Sequence, residues 1–191
     1  MINLTTRQQL AVGLGLFASM IATRGQHWAS LNALPDASWA VFFLAGVYLR
    51  PRWVFPALVT VAGVSDFASI TWGGVSSYCI SPAYGFLLPA YAALWPAGRW
   101  YAGRHRGQWS TVAPLSLAVL LGTAACELFS SGGFYFFSGR FAETTVAEFA
   151  DRLTTYFPGS LENVAFYVGI AAVIHLAIAR TPAASGWLER R

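Results

Sequence analysis

The sequence predicts an all-α integral membrane protein with six transmembrane helices, and three observations carry that expectation. Of the 191 residues, 56% are hydrophobic and only 10% are charged, against about 25% charged in a soluble domain. The apolar residues fall into runs separated by short polar links. The remaining charge gathers at the ends of those runs. Residues 1–191 are expected to form a single transmembrane domain, without internal repeats or low-complexity segments. Residues 1–24 lack a basic start followed by a small-residue cleavage site, so a cleavable signal peptide is not expected.

The first run covers 8–23 and ends at the polar link Arg24-Gly25-Gln26-His27-Trp28. The second, 37–49, closes at Arg50-Pro51-Arg52. The third, 53–72, is interrupted only by Asp66. The fourth, 82–98, leads into Arg99, Arg104, His105 and Arg106, and the fifth runs from about 110 to 129. The sixth, 163–179, is followed by Arg180 and a polar tail. Between spans five and six, Val146, Phe149, Leu153 and Tyr156 recur at intervals of three and four, with charged residues at other positions. That spacing predicts a separate amphipathic helix over 141–157, lying at the interface or capping the bundle. Ser130-Ser131-Gly132-Gly133 and Pro158-Gly159 are read as hinges or breaks on either side of it.

Six spans with the N-terminus inside place nine arginines on one side and Arg24, Arg140 and Arg152 on the other. This fits the positive-inside rule. The second run is short, however, and apolar runs of about 10–14 residues are often buried or re-entrant. Five spans give the same nine-to-three split, so charge counting leaves the number open. Only the six-span arrangement puts His27 and Cys79 on one face.

All twelve basic residues are arginine and the chain has no lysine. That excludes a Walker A phosphate loop, which needs Gly-Lys-Ser/Thr, and lysine Schiff-base chemistry. The arginines read as topology signals, so no nucleic-acid partner is expected. Cys79 and Cys126 form no CxxC, and with three histidines they do not make a zinc site.

Cys79 lies in an uncharged Ser/Tyr/Pro/Gly link between spans three and four. A sulfur placed there can coordinate a metal, exchange with a disulfide, pair with Cys126 or simply be inert. Asp66 lies inside a span, where an ionisable side chain costs about 2.5–3.5 kcal/mol on insertion scales. It therefore calls for a partner, with His27, Tyr84 or a ligand as candidates, or bonds a neighbouring backbone or hydroxyl group. Glu127 near the end of span five is a weaker case of the same kind. His175 is read as structural, and the tryptophans near span ends as an interfacial belt. Small residues four apart in span one, Ala11/Gly15/Ser19 and Ala18/Ala22, fit internal helix packing or a docking face for another subunit.

Residues 25–32 (GQHWASLN), 63–67 (GVSDF) and 76–85 (SSYCISPAYG), set in six hydrophobic runs, resemble the BtuM-type cobalamin transporters. These are bacterial relatives of the substrate-binding S-components of energy-coupling-factor transporters. The resemblance implies an S-component-like bundle in the bacterial inner membrane with both termini cytoplasmic. It implies an outward-facing corrinoid site in which Cys79 is the cobalt ligand and His27, Asp66 and Tyr84 stand in or beside the site. Cobalamin is then the transported ligand. In such proteins an AxxxA-type motif in helix one docks a coupling module. Here Ala18 and Ala22 match the letters but lie toward the outer end, which leaves room for a protein that works alone.

The chemistry of the residues agrees with that expectation. Thiolates are soft ligands for transition metals, and His27 or a nearby anion can help deprotonate Cys79. Ligation by Cys79 would labilise cyanide and assist decyanation of cyanocobalamin. Three other readings remain: a membrane thiol oxidoreductase using Cys79 and Cys126, an S-component for a different vitamin, and a structural membrane subunit.

Overall fold

A computed structural model describes residues 4–24, 34–74, 76–79 and 81–180, with backbone only at Cys79, Ala179 and Arg180. Among these residues there are α-helices and 3-10 turns and no strand. The helices are α1 (Thr6–Thr23), α2 (Ser38–Tyr48), α3 (Val54–Thr71), α4 (Leu87–Arg104), α5 (Val112–Phe137) and α6 (Val146–Arg180). Short 3-10 turns occupy Ser77–Cys79, Pro82–Phe86 and Trp109–Thr111.

Each helix runs opposite to the one before it. Arg24 at the end of α1 bonds Ser38 at the start of α2, while Gln9 at the start of α1 accepts from the Arg50 backbone beyond α2. One end of the bundle therefore carries Arg50, Arg99, Arg104 and Arg106. The other carries Arg24, Arg140 and Arg152, and the links at 24–37 and 72–86 share that end.

Three segments are long and apolar enough to cross a membrane: Val54–Thr71, Trp109–Phe137 and Val146–Ile178. The chain is a membrane protein on that ground. α2 is different. Its 11 residues extend about 16 Å, roughly half of a ~30 Å hydrocarbon core. It is also the central helix, with every residue from Ala40 to Val47 buried. Its apolar character on all sides follows from that position.

α2 and α4 cross with their backbones nearly touching. A Cβ added to Gly46 would collide with the Trp95 carbonyl, and one added to Gly98 with the Phe43 carbonyl. Glycine lets the two helices approach this closely. Around the crossing, Phe42 stacks on Tyr91 with centroids 4.2 Å apart and meets Phe55 edge-on at 5.7 Å. Leu58 and Leu94 are completely buried beside them.

The separate amphipathic helix expected at 141–157 is not there. Residues 146–157 are the first part of α6, which runs unbroken for 35 residues with Pro158 inside it, and 141–145 lie outside any helix. Membrane helices accommodate proline where neighbouring helices and hydroxyl side chains satisfy the backbone. The break expected at Ser130–Gly133 is also helical, as part of α5. Its glycines serve close contact instead: Gly133 lies against Phe86, and a Cβ on Gly132 would sit 3.2 Å from the Phe149 ring. α6 starts after a Thr-x-x-Glu pattern in which Thr145 Oγ1 accepts from the Glu148 N–H at 3.2 Å.

The small residues of α1 do not pack internally. Ala11, Gly15, Ala18, Ser19 and Ala22 are all exposed along one face. Trp53, Trp72 and Trp109, each beyond a helix end, are also exposed, in keeping with an interfacial belt.

Candidate ligand site

Asp66 is in the last third of α3, and its carboxylate is gripped from two directions. Arg24 forms a two-pronged pair with it: Nε donates to Oδ1 and Nη2 to Oδ2, both at 2.7 Å. The Tyr84 hydroxyl donates to Oδ2 at 2.6 Å. The expected partnership with Tyr84 is therefore present. The decisive partner, Arg24, was read from the sequence only as a link charge.

Arg24 reaches further into the bundle. Its Nη1 donates to Ser38 Oγ and to the Tyr91 hydroxyl, both at 2.9 Å. Ser38 in turn donates to Asp36 Oδ1 at 2.6 Å. Asn163 of α6 donates to the Asp36 carbonyl at 3.0 Å. One polar network thus joins α1, α2, α3, α4, α6 and the turn carrying Tyr84. Burial alone would depress the Arg24 guanidinium, but the bond to Asp66 and the neighbouring Tyr91 and Asp36 hold it above its ordinary value. The Tyr84 phenol is the donor in its bond to Asp66.

A cavity of about 470 Å³ opens above this network. Its floor includes Arg24, Asp66, Tyr84 and Leu87. Ser130, Ser131, Phe134 and Tyr135 of α5 form one wall. Phe141, together with Phe149, Arg152 and Tyr156 of α6, forms the other. Aromatic rings dominate, and Tyr135 lies nearly parallel to Phe149 at 5.8 Å. The Arg152 guanidinium sits over the Phe141 ring at 4.6 Å and is bonded to Glu148. The volume falls within the ~300–1,000 Å³ usual for small-molecule sites.

The turn Ser77–Cys79 lies beside this cavity through Tyr78. Tyr78 faces Phe134, a wall residue, at 6.0 Å between centroids. The Arg140 guanidinium lies 4.6 Å from the centre of the Tyr78 ring. The Cys79 side chain and all of His27 lie outside the described residues. The backbone nevertheless brings the Cys79 turn, Asp66 and Tyr84 to one end of the molecule.

Cys126 is a free thiol with no exposed surface, buried in α5. Next to it, Glu127 is also buried and accepts from the Ser131 hydroxyl. Its second oxygen, Oε2, and Thr123 Oγ1 one turn below have no protein partner. Glu127 thus lies beneath the cavity wall rather than on it. Among the described residues no group of three or more His, Cys, Asp or Glu side chains is placed to hold a metal ion.

Neither the protein-family models nor the curated proteins include a match to this sequence.

Proposed function

We propose that the chain binds cobalamin for uptake across the bacterial inner membrane, as a six-helix S-component-like protein, with the Cys79 thiolate as a cobalt ligand. The observation that carries this reading is the placement of the Cys79 turn beside an aromatic cavity whose floor is the Arg24–Asp66–Tyr84 network. A corrinoid needs flat apolar walls for its ring and amide or hydroxyl partners for its side chains. Phe134, Tyr135 and Phe149 supply the first, and Ser130, Ser131 and Tyr156 supply the second.

The chemistry asked of Cys79 is ligand exchange. The thiol loses its proton, a sulfur–cobalt bond forms, and the cobalt–cyanide bond breaks. Cyanide leaves with its electron pair and takes up a proton as HCN. Cobalt keeps its oxidation state in that step. The chain itself holds no Walker A motif, so transport is either driven by a separate ATPase module docked on the exposed face of α1 or is passive.

A second reading has a specific observation in its favour. The cavity of about 470 Å³ is smaller than a whole corrinoid, which suits an S-component for a smaller vitamin, with Cys79 incidental. The redox-pair reading is weakened by Cys126, a free thiol sealed inside α5.

The test is the absorbance spectrum of purified protein with cyanocobalamin beside Cys79→Ser. Corrin bands report the axial ligands of cobalt. A shift in wild type that is lost in the variant supports thiolate ligation. Bound cobalamin with unshifted bands removes the role of Cys79. No bound corrinoid in either protein favours the smaller vitamin.

A further inference from the structure

A second cavity, of about 340 Å³, lies at the opposite, arginine-rich end. Its deep wall is apolar: Phe43 and Val47 of α2, Leu115 of α5, and Val168 and Ala172 of α6. Its rim on the bilayer side is formed by Val112 and Leu176, which are 51% and 48% exposed. An apolar slot whose own rim is half-exposed on two membrane-crossing helices opens sideways into lipid rather than into water.

The end of the slot nearest the aqueous boundary is polar, with exposed arginines next to it in sequence. His105 and Gln108 line it, and Arg106, between them in sequence, is exposed. Arg104 is exposed as well, with its guanidinium 3.9 Å from the centre of the Trp100 ring. Trp109 follows at 86% exposure, where an indole marks the headgroup level of a bilayer. The Tyr101 hydroxyl is 2.9 Å from His105 Nδ1. When Tyr101 donates, His105 carries its proton on Nε2 and offers it to an acceptor.

We propose that this cavity holds one acyl chain of an anionic phospholipid, with the phosphate at Arg106, His105 and Gln108. Two properties point to this occupant over a water-borne solute: the sideways opening between Val112 and Leu176, and the coincidence of basic side chains with the aromatic level. Basic pockets between membrane helices are known sites for anionic headgroups. The inference does not depend on what the cavity above Asp66 binds.

The test is native mass spectrometry of the full chain in detergent, titrated with phosphatidylglycerol or with phosphatidylcholine of the same acyl chains. The expected result is one retained phosphatidylglycerol per chain, preferred over phosphatidylcholine by about fivefold. Leu115→Trp, or Val168→Phe if the first does not fold, fills the slot and removes the single adduct. Arg106→Gln keeps chain binding and abolishes the headgroup preference. Equal, multiple adducts of both lipids that neither kind of variant alters would show only annular lipid and overturn the proposal. If both filling variants fail to fold, the comparison of Arg106→Gln with wild type decides, and an unchanged preference overturns it.

Discussion

Arg24 and Asp66, 42 residues apart in sequence, meet through two hydrogen bonds of 2.7 Å and lock the end of α1 to α3. The pair is largely sheltered, with side-chain exposures of 9% and 24%. Removing one partner strands the other charge, which costs about 3–5 kcal/mol for buried pairs. Arg24→Ala should therefore lower the thermal midpoint in detergent sharply. Removing both charges together should recover part of the loss. Additive single and double variants would show that the two residues are not coupled.

Tyr84→Phe tests the third member of the network. It removes one donor to a carboxylate, a bond worth about 1.5–3 kcal/mol. The expected loss of stability is smaller than for Arg24→Ala, and it should shrink in an Asp66→Asn background. The same thermal unfolding series reads both effects.

The α2–α4 crossing leaves no room for a side chain at position 98. Gly98→Val drives a methyl-bearing carbon into the Phe43 carbonyl. Because that contact is backbone on rigid helix, it cannot relax by a rotamer change. We expect little or no folded protein by size-exclusion chromatography. Gly63→Ala, where a Cβ meets nothing within 4 Å, should be recovered at wild-type yield.

The Tyr135 hydroxyl stands inside the cap of α6. It accepts from the Thr145 N–H at 3.0 Å and donates to Glu148 Oε2 at 2.9 Å. Tyr135→Phe removes that partner from both groups. Hydrogen exchange should rise at the first turn of α6, while the Arg24 network stays protected. Uniform loss of protection would mean that Tyr135 holds the bundle and not the cap.

Ser130→Phe places a ring in the cavity above Asp66. Ligand affinity should fall by tenfold or more, about 1.4 kcal/mol, with the melting midpoint nearly unchanged. Undiminished binding would put the ligand elsewhere.

Much of this was legible in the sequence for identifiable reasons. The ends of α1, α2 and α3 fall within two residues of the apolar runs because each run is bounded by arginine, proline or a polar cluster. Asp66 stood out because a carboxylate within a span needs compensation, and Tyr84 proved to supply part of it. Arg24 escaped notice because an arginine just after an apolar run is what a topology signal looks like. Its real signal was scarcity, as one of three arginines at an otherwise non-basic end. α5 and α6 were cut short for a different reason. Gly-Gly and Pro-Gly are helix breakers by local propensity, but Phe86 and Phe149 pack into Gly133 and Gly132 and favour a continuous α5, and α6 carries Pro158 within its length.

The shortness of α2 has a consequence for any solute held at this site. The Arg24–Ser38 contact marks the level where α2 begins, and Arg24 also forms part of the cavity floor, so a molecule resting there sits at that level. Beneath it lie 11 residues of helix, about 16 Å of packed protein. Such a solute sits below the end of α3, because Asp66 precedes Trp72 by six residues, about 9 Å of helix. What remains is a plug rather than a passage, and its tightest point is the glycine contact between α2 and α4. If the solute is carried across as proposed, release toward the arginine-rich side requires those two helices to part.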